Sequence, residues 1–329
     1  MQGPGLDAAS LRRYTLCMRS PLIPLLVLVA ACSTHAPPEL RAPGTSPVEA
    51  YSLAGAPLHR PQLAPEVLAK RTADLAAAEE ALERAPGDAD ALIWVGRRLA
   101  YLGRYRDAID TFTRGAEMFP ADARMYRHRG HRFITLRNFD AAADDLARAA
   151  SLVDGRPDEV EPDGMPNVRN VPTSTLQSNV WYHLGLAHYL RGDFEQALDA
   201  YRKGMLVSDK PDGLVSMSYW HYLTLRRLGR HDEAAALLDP VTPGLDVIEN
   251  QSYYRLLQLY RGERSVDEIL SGTEGAIDDA TTGYGAGAWL MLEGDEARAM
   301  EIFRRIVAAP EWAAFGHIAA EAELARLSR

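Results

Sequence analysis

The sequence predicts an all-α protein, a right-handed superhelix (α-solenoid) of about six helix-turn-helix repeats with capping helices. Two observations predict it. The stretch from Trp181 to Tyr201, WYHLGLAHYLRGDFEQALDAY, reads as two short helices around a turn. Trp181, Leu184 and Tyr189 share one face of the first helix, and Ala197 and Tyr201 lie at i, i+4 on the second. Gly185 and Ala197 are small where the two helices approach, and Gly192-Asp193 makes the turn, with glycine free to take positive φ. The same pattern then recurs at a fixed period. Gly96 to Gly130 and Ala108 to Ala142 are both 34 residues, and Gly130 to Gly185 and Ala142 to Ala197 are both 55. The second spacing is one period plus an insertion of 21, while Gly185 to Gly287 and Ala197 to Ala299, both 102, are three periods.

This 34-residue unit resembles the tetratricopeptide repeat. In ALIWVGRRLAYLGRYRDAIDTFTRGAEMFP its roles fall to Leu92, Val95, Gly96, Gly103, Tyr105, Ala108, Phe112 and Pro120. In the next unit they fall to Tyr126, Gly130, Phe139, Ala142, Leu146 and Ala149.

Ahead of the repeats, residues 1–31 read as a signal region. MRSPLIPLLVLVAAC, from Met18, has a basic start, an apolar run and small residues before a cysteine. Val29-Ala30-Ala31-Cys32 resembles the lipobox of bacterial lipoproteins. That resemblance implies cleavage before Cys32 and lipid, palmitate included, on its sulfur and new amino group; the plainer alternative is a secretory signal cut near Ala31. Residues 1–17 have no place in such a signal, so Met18 is the expected start. Residues 32–64 are proline-rich, without a sustained period, and read as a semi-rigid tether. About 30 residues at ~3.3 Å each would let it reach up to ~100 Å.

The repeats occupy residues 65–329. Leu68, Leu75 and Leu82 behind Pro65 form a half repeat, followed by units at 89–122 and 123–156. The insertion, residues 155–176, is kept non-helical by Pro157, Pro162, Pro166 and Pro172. Ser174-x-x-Gln177 reads as a capping box restarting the helix. The acidic residues Asp154, Asp158, Glu159, Glu161 and Asp163 lack the EF-hand spacing and read as a solvated loop. The loop must leave the array and return, either across the concave face or on the convex side. A third unit at 178–211 is followed by degenerate ones at 215–247, with Tyr222 in place of glycine, and 248–279. A sixth restores Gly287, Gly294, Ala299 and Phe303, and EWAAFGHIAAEAELARLSR reads as a final capping helix with charge on its outer face.

The net charge of −9 and pI near 5.5 argue against nucleic acid as the main partner. The two cysteines, Cys17 and Cys32, both precede the repeats, which excludes a disulfide framework or cysteine zinc site there. No apolar run reaches the ~18 residues of a spanning helix. Catalytic motifs such as GxSxG, HExxH or a Walker loop are absent, so no enzyme and no cofactor is expected. His128 and His131 lie at i, i+3, but Arg127, Arg129 and Arg132 around them would repel a metal cation.

In tetratricopeptide solenoids, set positions of each first helix face the concave surface and bind peptides. Carried onto this chain, the resemblance gives a groove of Arg97, Tyr101, Arg127, His131, Tyr182, Tyr189, Tyr219 and Arg226. Arginine clamps carboxylates and tyrosine offers an apolar face with a polar tip. The plainer reading is a solvated face.

Lipobox, tether and repeats together resemble the NlpI-type outer-membrane lipoproteins, most in WHYLTLRRLGRHDEAAALL and in the last repeat with its capping helix. The resemblance implies a membrane-anchored adaptor on the periplasmic face of the bacterial outer membrane, with a protein or peptide ligand such as a cell-wall enzyme or envelope assembly factor. The rival reading is a permanent structural subunit of an envelope assembly machine, of the outer-membrane protein or pilus biogenesis type.

Overall fold

The computed structural model describes residues 46–272 and 275–328. The signal region and Cys32 lie outside the described residues, as does the expected tether up to residue 45. From Ser46 onward the tether reading is corrected. Residues 46–64 hold an antiparallel hairpin of β1 (Val48–Tyr51) and β2 (Pro57–His59), paired Ala50 to Leu58 and Tyr51 to Pro57. Its prolines fall where a missing N–H is tolerated, Pro57 being the first residue of a strand. The hairpin is pinned by Glu49, a buried carboxylate that accepts from Arg60 Nη2 at 2.6 Å and from the Arg106 backbone N–H at 3.2 Å.

The rest is helical. After α1 (Pro65–Arg84) come six pairs among the described residues. They are α2 (Ala89–Tyr101) with α3 (Tyr105–Met118), α4 (Ala123–Thr135) with α5 (Phe139–Val153), and α6 (Leu176–Arg191) with α7 (Phe194–Met205). Then follow α8 (Pro211–Arg227) with α9 (His231–Ala236), α10 (Gln251–Tyr260) with α11 (Val266–Ser271), and α12 (Ala276–Leu292) with α13 (Glu296–Val307), before a single α14 (Phe315–Leu327).

The repeating glycine has a specific task. Sixteen residues after Gly96, Gly130, Gly185 and Gly287 stand Phe112, Leu146, Tyr201 and Phe303 on the second helix. A Cβ on those glycines would fall 2.5, 2.7, 2.4 and 2.6 Å from these side chains. The slot therefore admits a large apolar group against bare backbone. In the fourth pair Tyr222 stands at the glycine's position and its ring stacks on Tyr260 of α10 at 4.5 Å, and α9 is only six residues long.

The turn of the second pair breaks a pattern as well. Gly103, Gly192, Gly229 and Gly294 take positive φ at the turns of their pairs, but 34 residues after Gly103 the position is Arg137, with φ 63°. A side chain in this region costs roughly 1–2 kcal/mol. Its guanidinium is buried and spans to the far end of the chain, 2.7 Å from Glu321 and 2.8 Å from the Trp312 carbonyl oxygen.

The expectation for α14 is therefore corrected: its charges point inward. Glu321 meets Arg137, and Glu323 meets Arg227 at 2.6 Å and Arg326 at 2.9 Å. Ahead of α14, Trp312 sits edge-on to Tyr105 at 5.4 Å and donates from Nε1 to the His59 carbonyl at 2.7 Å. Ala50, Leu99, Tyr105 and Trp312 belong to one apolar cluster, so the hairpin, the first pair and the segment before α14 share a core.

Candidate functional site

The first helices α2, α4, α6 and α8 touch in succession, while α12 reaches back to α8 and α14 to α6. Their side is thus the inside of the stack. Two segments cross it. Phe315, the first residue of α14, lies 5.1 Å from the His131 ring, 5.7 Å from His183 and 6.3 Å from Tyr182. Beside these rings is a cavity of about 340 Å³ lined by Arg127, His131, Tyr182, His183, Asn250 and Phe315, among others.

The second segment is the insertion, which passes over the inner ends of α2 and α4. Arg97 donates to the Pro162 carbonyl at 2.7 Å, and Arg98 to that of Gly164 at 3.2 Å. Glu161 is buried rather than solvated, correcting the loop reading of that residue. Its carboxylate lies 3.1 Å from Arg127 Nε, 3.6 Å from His128 Nε2, and accepts from Asn179 at 3.1 Å. A carboxylate so placed is held by the Arg127 guanidinium of α4 and the Asn179 amide of α6. The helix after the insertion restarts one residue later than expected, on a capping box of Thr175 and Ser178 in place of Ser174 and Gln177.

Electrostatically the inner face is short of acids. Burial, reinforced by Arg127, holds His128 well below the ordinary imidazole value of 6.5. Burial and then Arg132 do the same for His131, and burial and Arg127 for His183. These rings are neutral in the fold, and His183 Nδ1 lies 2.6 Å from the Asn179 carbonyl oxygen, which makes Nδ1 the protonated nitrogen. The unfolded chain binds protons that the folded one refuses. Stability is therefore fully present above pH 6.5 and is lost as pH falls below it, by about 1.4 kcal/mol per pH unit for each such histidine. The melting temperature should drop steadily between pH 7 and pH 5, where ordinary carboxylates stay ionised. His183→Gln should flatten that drop; a flat wild-type profile would contradict the arrangement.

The predicted groove residues separate into three groups. Arg127, His131 and Tyr182 line the cavity, with Tyr182 Oη accepting from Trp220 Nε1 at 2.9 Å and lying 2.8 Å from the Tyr253 hydroxyl. Arg97 and Tyr101 hold each other through the Tyr101 hydroxyl, 3.2 Å from Arg97 Nη2, beneath the insertion. The rest lie apart from this cavity. Tyr189 is 0% exposed, its hydroxyl 2.8 Å from that of Tyr284, and Tyr219 is 1% exposed between Trp220 and Tyr253. Both are core residues. Arg226 pairs with Glu293 at 2.6 Å and with the Tyr222 hydroxyl at 2.8 Å, away from the cavity.

His183 and Phe315 were missed. His183 had a signal: it stands 55 residues after His128, the same repeat position across the insertion. Phe315 had none, because it arrives from the far end of the chain. Among the described residues no group of acidic, histidine or cysteine side chains is placed to hold a metal ion, and no helix is long and apolar enough to cross a membrane.

Two family profiles, both described as tetratricopeptide repeat, match residues 96–158 and 178–208. No curated protein matches the chain. Among solved structures, the chain is similar to YrrB, described as a TPR protein with an unusual peptide-binding site, at 15% identity over 72% of this chain and 95% of that one, TM-score 0.41. It is similar to MamA at 18% identity over 61% of this chain and 100% of that one, TM-score 0.39. A third similarity is to Naa15/Naa10 bound to HypK-THB, at 15% identity over 78% of this chain and 38% of that one, TM-score 0.34.

Proposed function

Because this chain is a member of the tetratricopeptide-repeat superfamily, we propose that it is a protein-interaction scaffold of the bacterial cell envelope that receives a peptide or protein segment on its inner face. The observation that carries this reading is the cavity beside Arg127, His131 and Tyr182, where a guanidinium, neutral imidazoles and aromatic rings converge on about 340 Å³. Such a set suits a segment with one anionic group and one apolar side chain. Placement in the envelope rests on Val29-Ala30-Ala31-Cys32 alone, which would carry the lipid.

A photo-crosslinking residue introduced in living cells tests the reading. Placed at Ser216 on the cavity rim, it should yield a discrete protein adduct that the same residue at Glu301, exposed on α13, does not. Equal yields at both positions, or none at Ser216, would remove the inner face as the binding surface. In the same cells Cys32→Ser should move the protein from the membrane to the soluble fraction; unchanged fractionation would end the anchoring proposal.

A further inference from the structure

The insertion is bound to the inner face in the manner of a ligand. Between Glu161 and Gly164 it presents two main-chain carbonyls and one carboxylate to three arginines on two successive first helices. Gly164 lies so close to Tyr101 that a Cβ there would fall 2.2 Å from the phenol oxygen, so the backbone itself rests on the ring. None of this resembles core formation. Val160, Met165, Val168 and Val171, the larger apolar side chains of the insertion ahead of α6, are all exposed, and only Leu176, where α6 begins, enters the core. Farther along, the segment is held by exposed polar contacts, Arg169 to Asp246 at 2.7 Å and Thr173 to Glu249 at 2.8 Å. Exposed pairs of that kind contribute little. The segment is thus attached through one buried anchor, Glu161, and a short run of backbone, and it contributes little apolar burial that would hold it in place.

Resting on the reading of the inner face as the binding surface, we propose that residues 161–165 are an internal ligand, and that the partner is an extended acidic peptide segment whose carboxylate replaces Glu161 on Arg127 and His128. Backbone carbonyls of that segment would take Arg97 and Arg98, as Pro162 and Gly164 do. Specificity then comes from a carboxylate at the anchor and a small residue three positions later, where Tyr101 leaves no room for a side chain. A tethered occupant acts at an effective concentration of order millimolar, so the external segment has to outcompete a weak but ever-present rival.

The chain supplies its own probe. A fluorescent peptide with the sequence of residues 159–167, EVEPDGMPN, should bind by anisotropy to a full-length variant in which residues 157–171 are replaced by a Gly/Ser link. Binding to the wild-type chain should be at least about tenfold weaker, and the peptide carrying Glu161→Gln should lose at least about tenfold on the variant. Equal binding of the Glu and Gln peptides, or no binding by a variant that keeps its helical signal and cooperative melting, overturns the proposal. If the replacement fails to fold, Glu161→Gln in the intact chain frees the anchor, and the unaltered peptide should bind it at least about threefold tighter than wild type; equal affinity overturns the proposal. Failure here with the Ser216 crosslink retained removes the internal ligand and keeps the inner face; loss of both removes the inner face as well.

Discussion

Arg137→Ala is expected to cost about 3–5 kcal/mol of stability, the usual consequence of removing one member of a buried ion pair. The side chain of Arg137 is 3% exposed and that of Glu321 is 8% exposed, so the remaining carboxylate would have no water to replace its partner. The Trp312 carbonyl and the Thr135 carbonyl, 2.6 Å from Arg137 Nη1, would lose their donors too. In a chain of this size that corresponds to a fall in melting temperature of roughly 5–8 °C. Arg137→Gly separates the two roles of the residue. Glycine relieves the left-handed backbone, so this variant should melt above Arg137→Ala yet well below wild type. Calorimetry showing Arg137→Gly as stable as wild type would mean that the ion pair contributes nothing net.

Ala197→Glu is expected to be more damaging still, beyond about 4–5 kcal/mol. Ala197 is 0% exposed in the seam between α6 and α7. A carboxylate there would be desolvated without a partner, and its extra atoms would push apart the helices that Gly185 lets Tyr201 approach. Asp199, two residues on and exposed, serves as the comparison. Asp199→Ala should stay within about 0.5 kcal/mol of wild type. An Ala197→Glu chain that melts within a few degrees of wild type would contradict the packing described for this seam.

The parts of the fold legible in the sequence are those encoded by neighbours in the chain. The 34-residue spacing located the helix pairs, and the glycine with its large partner sixteen residues on is a local pattern. The burial of Tyr189 was also legible, since it stands 55 residues after Ile134, a core residue, in the same repeat position. Its aromatic character suggested an anchor and obscured the position. Tyr219 is different: it is equivalent to Tyr182, and it is covered because Tyr253 and Tyr260 of the degenerate fifth pair close over it. The inward face of α14 had no local signature at all. Glu321 and Glu323 find Arg137 and Arg227 across 184 and 96 residues. Periodicity along one helix cannot say which distant cation will neutralise its acidic side. The hairpin escaped for a related reason, because its short strands carry no alternation and are stabilised by Arg106, Trp312 and Glu321 from elsewhere.

The contact of Trp312 with His59, across 253 residues, alters how the stack can come apart. In an open array each repeat feels only its neighbours, and melting starts by fraying at whichever end is least protected. Here the hairpin and α14 clasp one another, so neither end of the described stack can fray without breaking the clasp. Joining segments that far apart costs roughly 5 kcal/mol of chain entropy, which is spent once, when the clasp closes. Once closed, the first amides to exchange should belong to α9 and α11, six residues each, in the interior of the sequence. The clasp moves the weak point of the molecule from its edges to its middle.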